Sequence, residues 1–407
     1  MNNRSSTWLL LMLLLSGCGS SSRDSRSTAN VDTLANGTIV VHNQKPQWDS
    51  ASAWRLTEQL RIGSTQGEGP DVFGDVADVY LTPNGYVWVL DRQAHVVQIF
   101  DARAHHIRTL GRLGGGPGEF KDAIALAPDG HGHVWVVDPG NARYSVFDTA
   151  GVYVTSYPRR FDSYSMPWPG GFTRDGQFYD YVFTMQPGGK NRQALARILF
   201  SGDSITAQDS VFIPEPPEQP QYFEVVHQSG NSSSISRAAV PFAPSFRWTL
   251  DPRGGLWIGY SSAYRIQQLS PQGDTVRMVE LQYTPVRVTA HERDTAMAQL
   301  RWIEKQGLKL DAARIPSTKP AFRGFFVTQD GFLWVRPHLP GDGDPASHPP
   351  TSYDVFDPAG VYLGRIALDL DAYPAPRVIG NAVVGVRRDE LDVPYVVVYR
   401  LEGHVHD

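Results

Sequence analysis

His131 and His133 stand two residues apart, a spacing that on a strand would set both imidazoles on one face and suit zinc. They flank Gly132, however, inside what reads as a tight turn, and no third His, Cys or acid recurs at a matching place. No metal site is expected from them, nor from His404 and His406, which lie where chain ends fray. The run Gly111 to Gly118 is rich enough in glycine to suggest a phosphate cradle. Pro117 interrupts it, no Gly-Lys-Ser/Thr follows, and the apolar residues after it read as a strand rather than a helix. Its glycines are expected to supply unusual backbone angles at a crossing between sheets. Asp91 and Asp138 each close an apolar run, a place where a carboxylate accepts backbone N–H groups of the next turn. That bonding role is favoured over catalysis.

The 407-residue chain that must position these groups repeats one plan. A turn Gly is followed three residues later by Trp at Gly85/Trp88, Gly132/Trp135, Gly254/Trp257 and Gly331/Trp334, with weaker copies at Gly176/Tyr179 and Gly380/Val383. A second apolar run follows each turn, as in Val97 to Phe100, Tyr144 to Phe147 and Tyr353 to Phe356. Each unit therefore holds three or four short strands joined by Gly, Asp, Asn and Pro turns, the pattern of consecutive hairpins. Tyr86 to Leu90 and Val134 to Val137 are apolar at both parities, so both faces must be buried. A small antiparallel sheet covered on both sides by copies of itself is a blade, and a ring of blades leaves no long exposed edge. The expected fold is all-β, a six-bladed β-propeller of four-stranded antiparallel blades over residues 38–403. The recurring Trp88, Trp135, Trp257 and Trp334 are expected to pack the blades rather than to stack on a ligand.

The turn glycines are spaced 47, 44, 78, 77 and 49 residues apart, so two intervals carry long insertions. The first, around Pro214 to Ser234, reads as a long loop with a short apolar segment at Tyr222 to Val226. The second, about 289–307, begins with the capping-box pattern of Thr289 and Glu292 and predicts a helix from Ala290 to Gln306. Pro337 to Pro350 is rich in Pro, Gly and Asp and reads as a loop. The last unit lacks a fourth strand of its own, and one of two N-terminal runs, Thr38 to Val41 or Trp54 to Ile62, is expected to complete it and close the ring.

In the second unit, Gly111-Arg-Leu-Gly114-Gly-Gly-Pro117-Gly-Glu119-Phe120, Pro128-Asp-Gly130, Val134-Trp-Val-Val-Asp138, Gly140-Asn141-Ala-Arg143 and Val146-Phe-Asp148 together resemble the NHL repeat. The unit before keeps Gly63, Gly67, Gly69, Pro70 and Phe73; after Asp162 the likeness fades into that of bacterial six-bladed propeller lipoproteins at large. Residues 1–17 carry Arg4 and the apolar run Trp8 to Leu15, which has the form of an export signal. A helical span needs about 20 apolar residues, more than this run offers. Leu15-Ser16-Gly17-Cys18 resembles the lipobox of bacterial lipoproteins, which implies cleavage before Cys18, the only cysteine, and a diacylglycerol on its thiol. Residues 18–37 begin with a Ser-rich stretch and read as a tether. Gly19 after the cysteine points to the outer membrane, with the propeller facing the periplasm or the exterior.

In a propeller the first strand of every blade starts at the channel mouth on one face. By the repeat register the residues converging there are Asp75, Asp78, Lys121, Asp122, Trp168, Phe172, Phe246, Arg247, Phe322 and Arg323. Several acids together could hold Ca²⁺, as resemblance to gluconolactonase-like propellers would imply, but the Glu and Asn ligands of those enzymes are missing at the matching starts, as is the multi-blade histidine set of NHL-type amidating lyases. The formal charge of −5, more negative once Arg4 is cut away, disfavours nucleic acid as a partner. The expectation is a monomeric, lipid-anchored platform at the bacterial envelope that binds an unidentified protein or small polar ligand without a cofactor. A metal-dependent lactonase or lyase with its site at the mouth is the alternative, and no catalytic residue is assigned.

Overall fold

The structure, a computed structural model, describes residues 29–161, 163–185, 191–201, 204–229, 232–308, 310–342 and 351–403. Six antiparallel sheets form the blades, each ordered from its inner to its outer strand. Blade 1 is Val76–Leu81, Val87–Asp91, Val96–Phe100 and His106–Leu110; blade 2 is Ala125–Pro128, His133–Asp138, Arg143–Asp148 and Tyr153–Pro158. Blade 3 runs through Gly171–Phe172, Phe178–Met185, Asn191–Ser201 and Ser204–Phe212, and blade 4 through Phe246–Leu250, Leu256–Tyr260, Arg265–Leu269 and Thr275–Leu281. Blade 5 is Phe322–Val327, Leu333–Pro337, Thr351–Phe356 and Tyr362–Leu368; blade 6 is Arg377–Ile379, Ala382–Arg388, Pro394–Glu402 and, from the N-terminal side, Arg55–Ile62.

The second strands explain why the blades stack. Every residue of Val87–Asp91 is buried, and because successive side chains face opposite sides, Trp88 and Leu90 pack on Leu126 and Val136 of blade 2 while Val87 and Val89 pack on Val384 and Val396 of blade 6. Equivalent apolar clusters join blades 2 and 3, 3 and 4, 4 and 5, and 5 and 6. The ring is closed, and Trp88, Trp257 and Trp334 are spent inside it, each at most 2% exposed.

The two N-terminal runs part company. Arg55–Ile62 pairs antiparallel with Pro394–Glu402 and completes blade 6, whereas Ile39–Asn43 lies parallel to Thr275–Leu281 on the outer edge of blade 4. Buried Val40 and Val41 hold it there, and the Asn43 amide bonds Glu280 O and Gly360 O, bridging to blade 5. Ala29–Thr33 folds back on it as a hairpin, so ordered strand begins inside the stretch 18–37 read as tether. Cys18 and the rest of residues 1–28 lie outside the described residues.

Thr289 and Glu292 do form a capping box, but the helix ends at Gln299 and a short second turn follows at Arg301–Glu304, with Leu300 between them out of helical geometry. Tyr222 to Val226 is more than a short apolar segment in a loop: Tyr222–Ser229 pairs with Ser232–Ala239 as a hairpin. Phe223, Ala238 and Val240 of this insertion pack on Ile303, Leu310 and Ile315 of the helical one, which gives both insertions a common small core. Within Pro337 to Pro350, residues 343–350 are outside the described residues.

Candidate functional site

The carboxylates that end the second strands build the mouth. Asp91 accepts the backbone N–H groups of Gly74 and Asp75 at 2.8 and 3.2 Å, and Asp138 those of Lys121 and Asp122 at 3.0 and 2.9 Å. Their predicted bonding role extends beyond the following turn: they clamp the lead-in to the first strand of their own blade and so aim its side chains. The motif residues of the second unit work alongside. Asn141 donates to Gly114 O at 2.8 Å, Arg143 donates to Gly116 O and Glu119 O, and Glu119 accepts the Gly116 N–H at 2.7 Å. A Cβ on Gly111, at φ +82°, would stand 2.3 Å from the Phe120 ring, so this glycine is demanded by close approach as well as backbone sign. The glycine run is a crossing between blades 1 and 2.

On the side formed by blades 6, 1 and 2, Asp75 is held by Arg92, whose Nη2 lies 2.6 Å and Nε 2.8 Å from one carboxylate oxygen. Asp122 stands 4.0 Å from the same guanidinium. Arg92 also reaches Met166 Sδ at 3.4 Å, and the Tyr164 hydroxyl reaches that sulfur at 3.0 Å. Desolvation, then the charge of Asp122, raise the Tyr164 hydroxyl above the ordinary tyrosine range; desolvation, then Asp75, do the same to Tyr373. Tyr164 and Tyr373 therefore stay protonated donors, and the buried Tyr373 Oη has no partner among the described residues. Lys121, in the lead-in to blade 2, is exposed.

Five of the ten expected mouth residues are engaged within or between the blades instead. Asp78 is 7% exposed; Arg377 of blade 6 grips it at 2.6 and 3.2 Å, and it accepts the Leu126 N–H of blade 2 at 2.8 Å. It ties three neighbouring blades together. Trp168 donates from Nε1 to Asp180 at 2.6 Å and packs on Phe178. Phe172 also packs on Phe178 and Trp135, Phe246 joins the blade 3–4 cluster, and Phe322 is 1% exposed in the blade 4–5 cluster.

The opposite side, on blades 4 and 5, is cationic. Arg247, at the start of the first strand of blade 4, is exposed, yet desolvation by the protein around it lowers its pKa. Arg323 is lowered in the same way, against the opposing pull of Asp342, whose oxygen lies 3.4 Å from its Nε. Just past the second strand of blade 5 sits His338, its Nδ1 buried without a partner among the described residues. Burial and the charges of Arg323, Lys319, Arg336 and Arg247 push its pKa from 6.5 down to about 3. The folded protein thus keeps this imidazole neutral where the unfolded chain protonates it, so stability is full above pH 6.5 and is lost as pH falls towards 3. From neutrality to pH 5 this one group should cost about 2 kcal/mol of stability. Urea unfolding at both pH values checks it: His338→Asn should lack that increment, and an unchanged pH dependence would refute the assignment.

No protein-family model matches the chain, and no curated protein matches it in sequence. Its fold is similar to solved propellers. A Bacteroides fragilis protein inferred to be exported aligns over 89% of this chain and 99% of its own, at 10% identity and a TM-score of 0.47. A DUF4221 family member from Bacteroides vulgatus aligns over 86% and 98%, at 10% identity and 0.45, and virginiamycin B lyase from Staphylococcus aureus over 86% and 99%, at 11% identity and 0.40. At such distances activity does not carry across, and the six-bladed fold rests on the chain's own sheets.

The register of first strands found Asp75, Lys121, Asp122, Arg247 and Arg323 at the mouth but missed Arg92, Tyr164, Arg336, His338 and Tyr373. A signal for two of them was present. In an antiparallel pair the end of the second strand lies beside the start of the first, so Arg92 after Asp91 and His338 after Pro337 belong to the same face. Tyr164 and Tyr373 arrive on crossing loops, whose paths no strand pattern encodes. Among the described residues no three His, Cys, Asp or Glu side chains gather as a metal site; His133 instead bonds Asp129 at 2.8 Å.

Proposed function

We propose that the protein is a lipid-anchored propeller of the bacterial envelope that binds a polar ligand or partner at its channel mouth. The observation that carries this reading is two unserved polar atoms at the mouth: among the described residues Tyr373 Oη, on the side of blades 6 and 1, and His338 Nδ1, on blade 5, are buried without a hydrogen-bond partner. Buried polar groups are nearly always paired, so these two atoms, one on each side of a mouth that also holds half-buried Asp75, Arg92 and Asp122, mark a surface for a ligand to complete; other unpartnered atoms, such as the indole nitrogens of Trp88, Trp257 and Trp334, belong to side chains shut between the blades. Binding is favoured over metal-dependent catalysis because the acids that would have served as ligands are engaged, Asp75 by Arg92 and Asp78 by Arg377. The envelope location rests on the signal-like residues 1–17 and on Cys18; among the described residues no helix is long and apolar enough to cross a membrane.

The test is site-specific photo-crosslinking in intact cells. A crosslinking side chain at Tyr164, in the mouth, should give a discrete adduct, and one at Gln59, exposed on the outer strand of blade 6, should not. Equal labelling from both positions, or none from Tyr164, would remove the mouth as the binding face.

A further inference from the structure

The two sides of the mouth differ in charge. Around His338 stand four cations, Arg247, Arg323, Arg336 and Lys319, and among them two carboxylates, Glu292 and Asp342. Buried Lys319 and Glu292 neutralise each other at 2.5 Å. Asp342 divides its carboxylate between the Leu339 N–H at 2.9 Å and Arg323 at 3.4 Å. Among the described residues four cations against two carboxylates leave two positive charges over, and no carboxylate pairs with Arg247 or Arg336. Like charges held together in a partly desolvated place repel strongly, and no further carboxylate among the described residues relieves this. It does leave room. Gly324 faces Arg336 across the ladder of blade 5, and no atom lies within 4 Å of where its Cβ would be.

We propose that Arg247, Arg323, Arg336 and His338 form a subsite for a divalent oxyanion, a phosphate-type group carried by a soluble ligand. The assignment rests on the binding-platform reading above and names the chemistry of one end of what binds. Guanidinium forks meet such oxygens two at a time, the neutral imidazole supplies an N–H beside them, and the group's two negative charges match the two left over. The Asp75, Arg92 and Tyr164 side of the mouth then receives the remainder of the ligand.

Calorimetric titration of the full chain with inorganic phosphate, sulfate and acetate at constant ionic strength tests this. Phosphate and sulfate should bind at one site and acetate at least tenfold more weakly. Arg247→Gln and Arg336→Gln, neither of which breaks an ion pair, should each weaken phosphate about tenfold or more, and Arg61→Gln on the outer strand should leave it unchanged. No phosphate binding up to about 10 mM, or equal affinity in the parent and both variants, overturns the proposal. Should phosphate fail while the Tyr164 adduct persists, only the oxyanion assignment falls; loss of the adduct as well takes the platform reading with it.

Discussion

A chain lacking residues 1–62 is expected to lose cooperative unfolding, whereas one lacking only residues 1–43 should keep a single transition at a lower midpoint. Both deletions remove strands, but the strands do different work. Ile39–Asn43 and Ala29–Thr33 add to the outside of blade 4, which already has four strands and seals against blades 3 and 5 without them. Arg55–Ile62 is the fourth strand of blade 6, joined to its neighbour over seven residue pairs. Without it Pro394–Glu402 becomes an open edge whose backbone groups lose their partners. Trp54 just before it packs on Trp48, Phe332 and Trp334, and loss of a buried Trp alone costs about 3–5 kcal/mol. Ile62 leaves the cluster that joins blade 6 to blade 1. Since whole-domain stability is about 5–15 kcal/mol, these losses together consume it, and the ring opens at the one seam where its two chain ends meet. Differential scanning calorimetry distinguishes the outcomes; a chain starting at Gly63 that melts like its parent would show that closure lies elsewhere.

That the ring closes through an N-terminal strand is legible in the sequence, because a propeller cannot leave one blade short. Which strand closes it was not, since Ile39–Asn43 and Arg55–Ile62 are both short and apolar enough to serve. The same split runs through the site. Blade number and the face of the mouth follow from the Gly-to-Trp spacing and from strands apolar at both parities, features that burial on two sides enforces locally. The pairing of groups at the mouth is not local. Asp78 and Arg377 are 299 residues apart and meet only because blade 6 is the neighbour of blade 1; a sequence reading that places Asp78 at the mouth by register cannot see the cation that draws it inward. Likewise the acids at Asp75 and Asp122 suggest a place for Ca²⁺ until Arg92, from the second strand, takes its position between them.

Asp180→Ala should be the most damaging single substitution in the blades, costing about 3–5 kcal/mol. Asp180 is fully buried and serves four donors of different origin: Arg159 Nε at 2.7 Å, Trp168 Nε1 at 2.6 Å, the Tyr144 hydroxyl at 2.5 Å and the Tyr181 N–H at 2.7 Å. Arg159, with 2% of its side chain exposed, has no other carboxylate among the described residues and otherwise donates to Phe161 O and Ser163 Oγ. Removing the acid strands a cation in the interior, which is why breaking such a pair costs more than the pair contributes. Asp180→Asn should be nearly as harmful, because its amide N–H groups would face donors. The double variant Arg159→Met with Asp180→Ala should recover much of the loss, since no buried charge remains, and a double-mutant cycle in urea should show strong coupling. Simple additivity would mean that Arg159 finds water once released. The consequence reaches the mouth, because the crossing loop pinned by Arg159 and Trp168 is the one that brings Tyr164 and Met166 against Arg92. Asp180→Asn protein that still folds should therefore lose the Tyr164 adduct in cells, while a variant on the far side of the ring of equal stability cost should retain it.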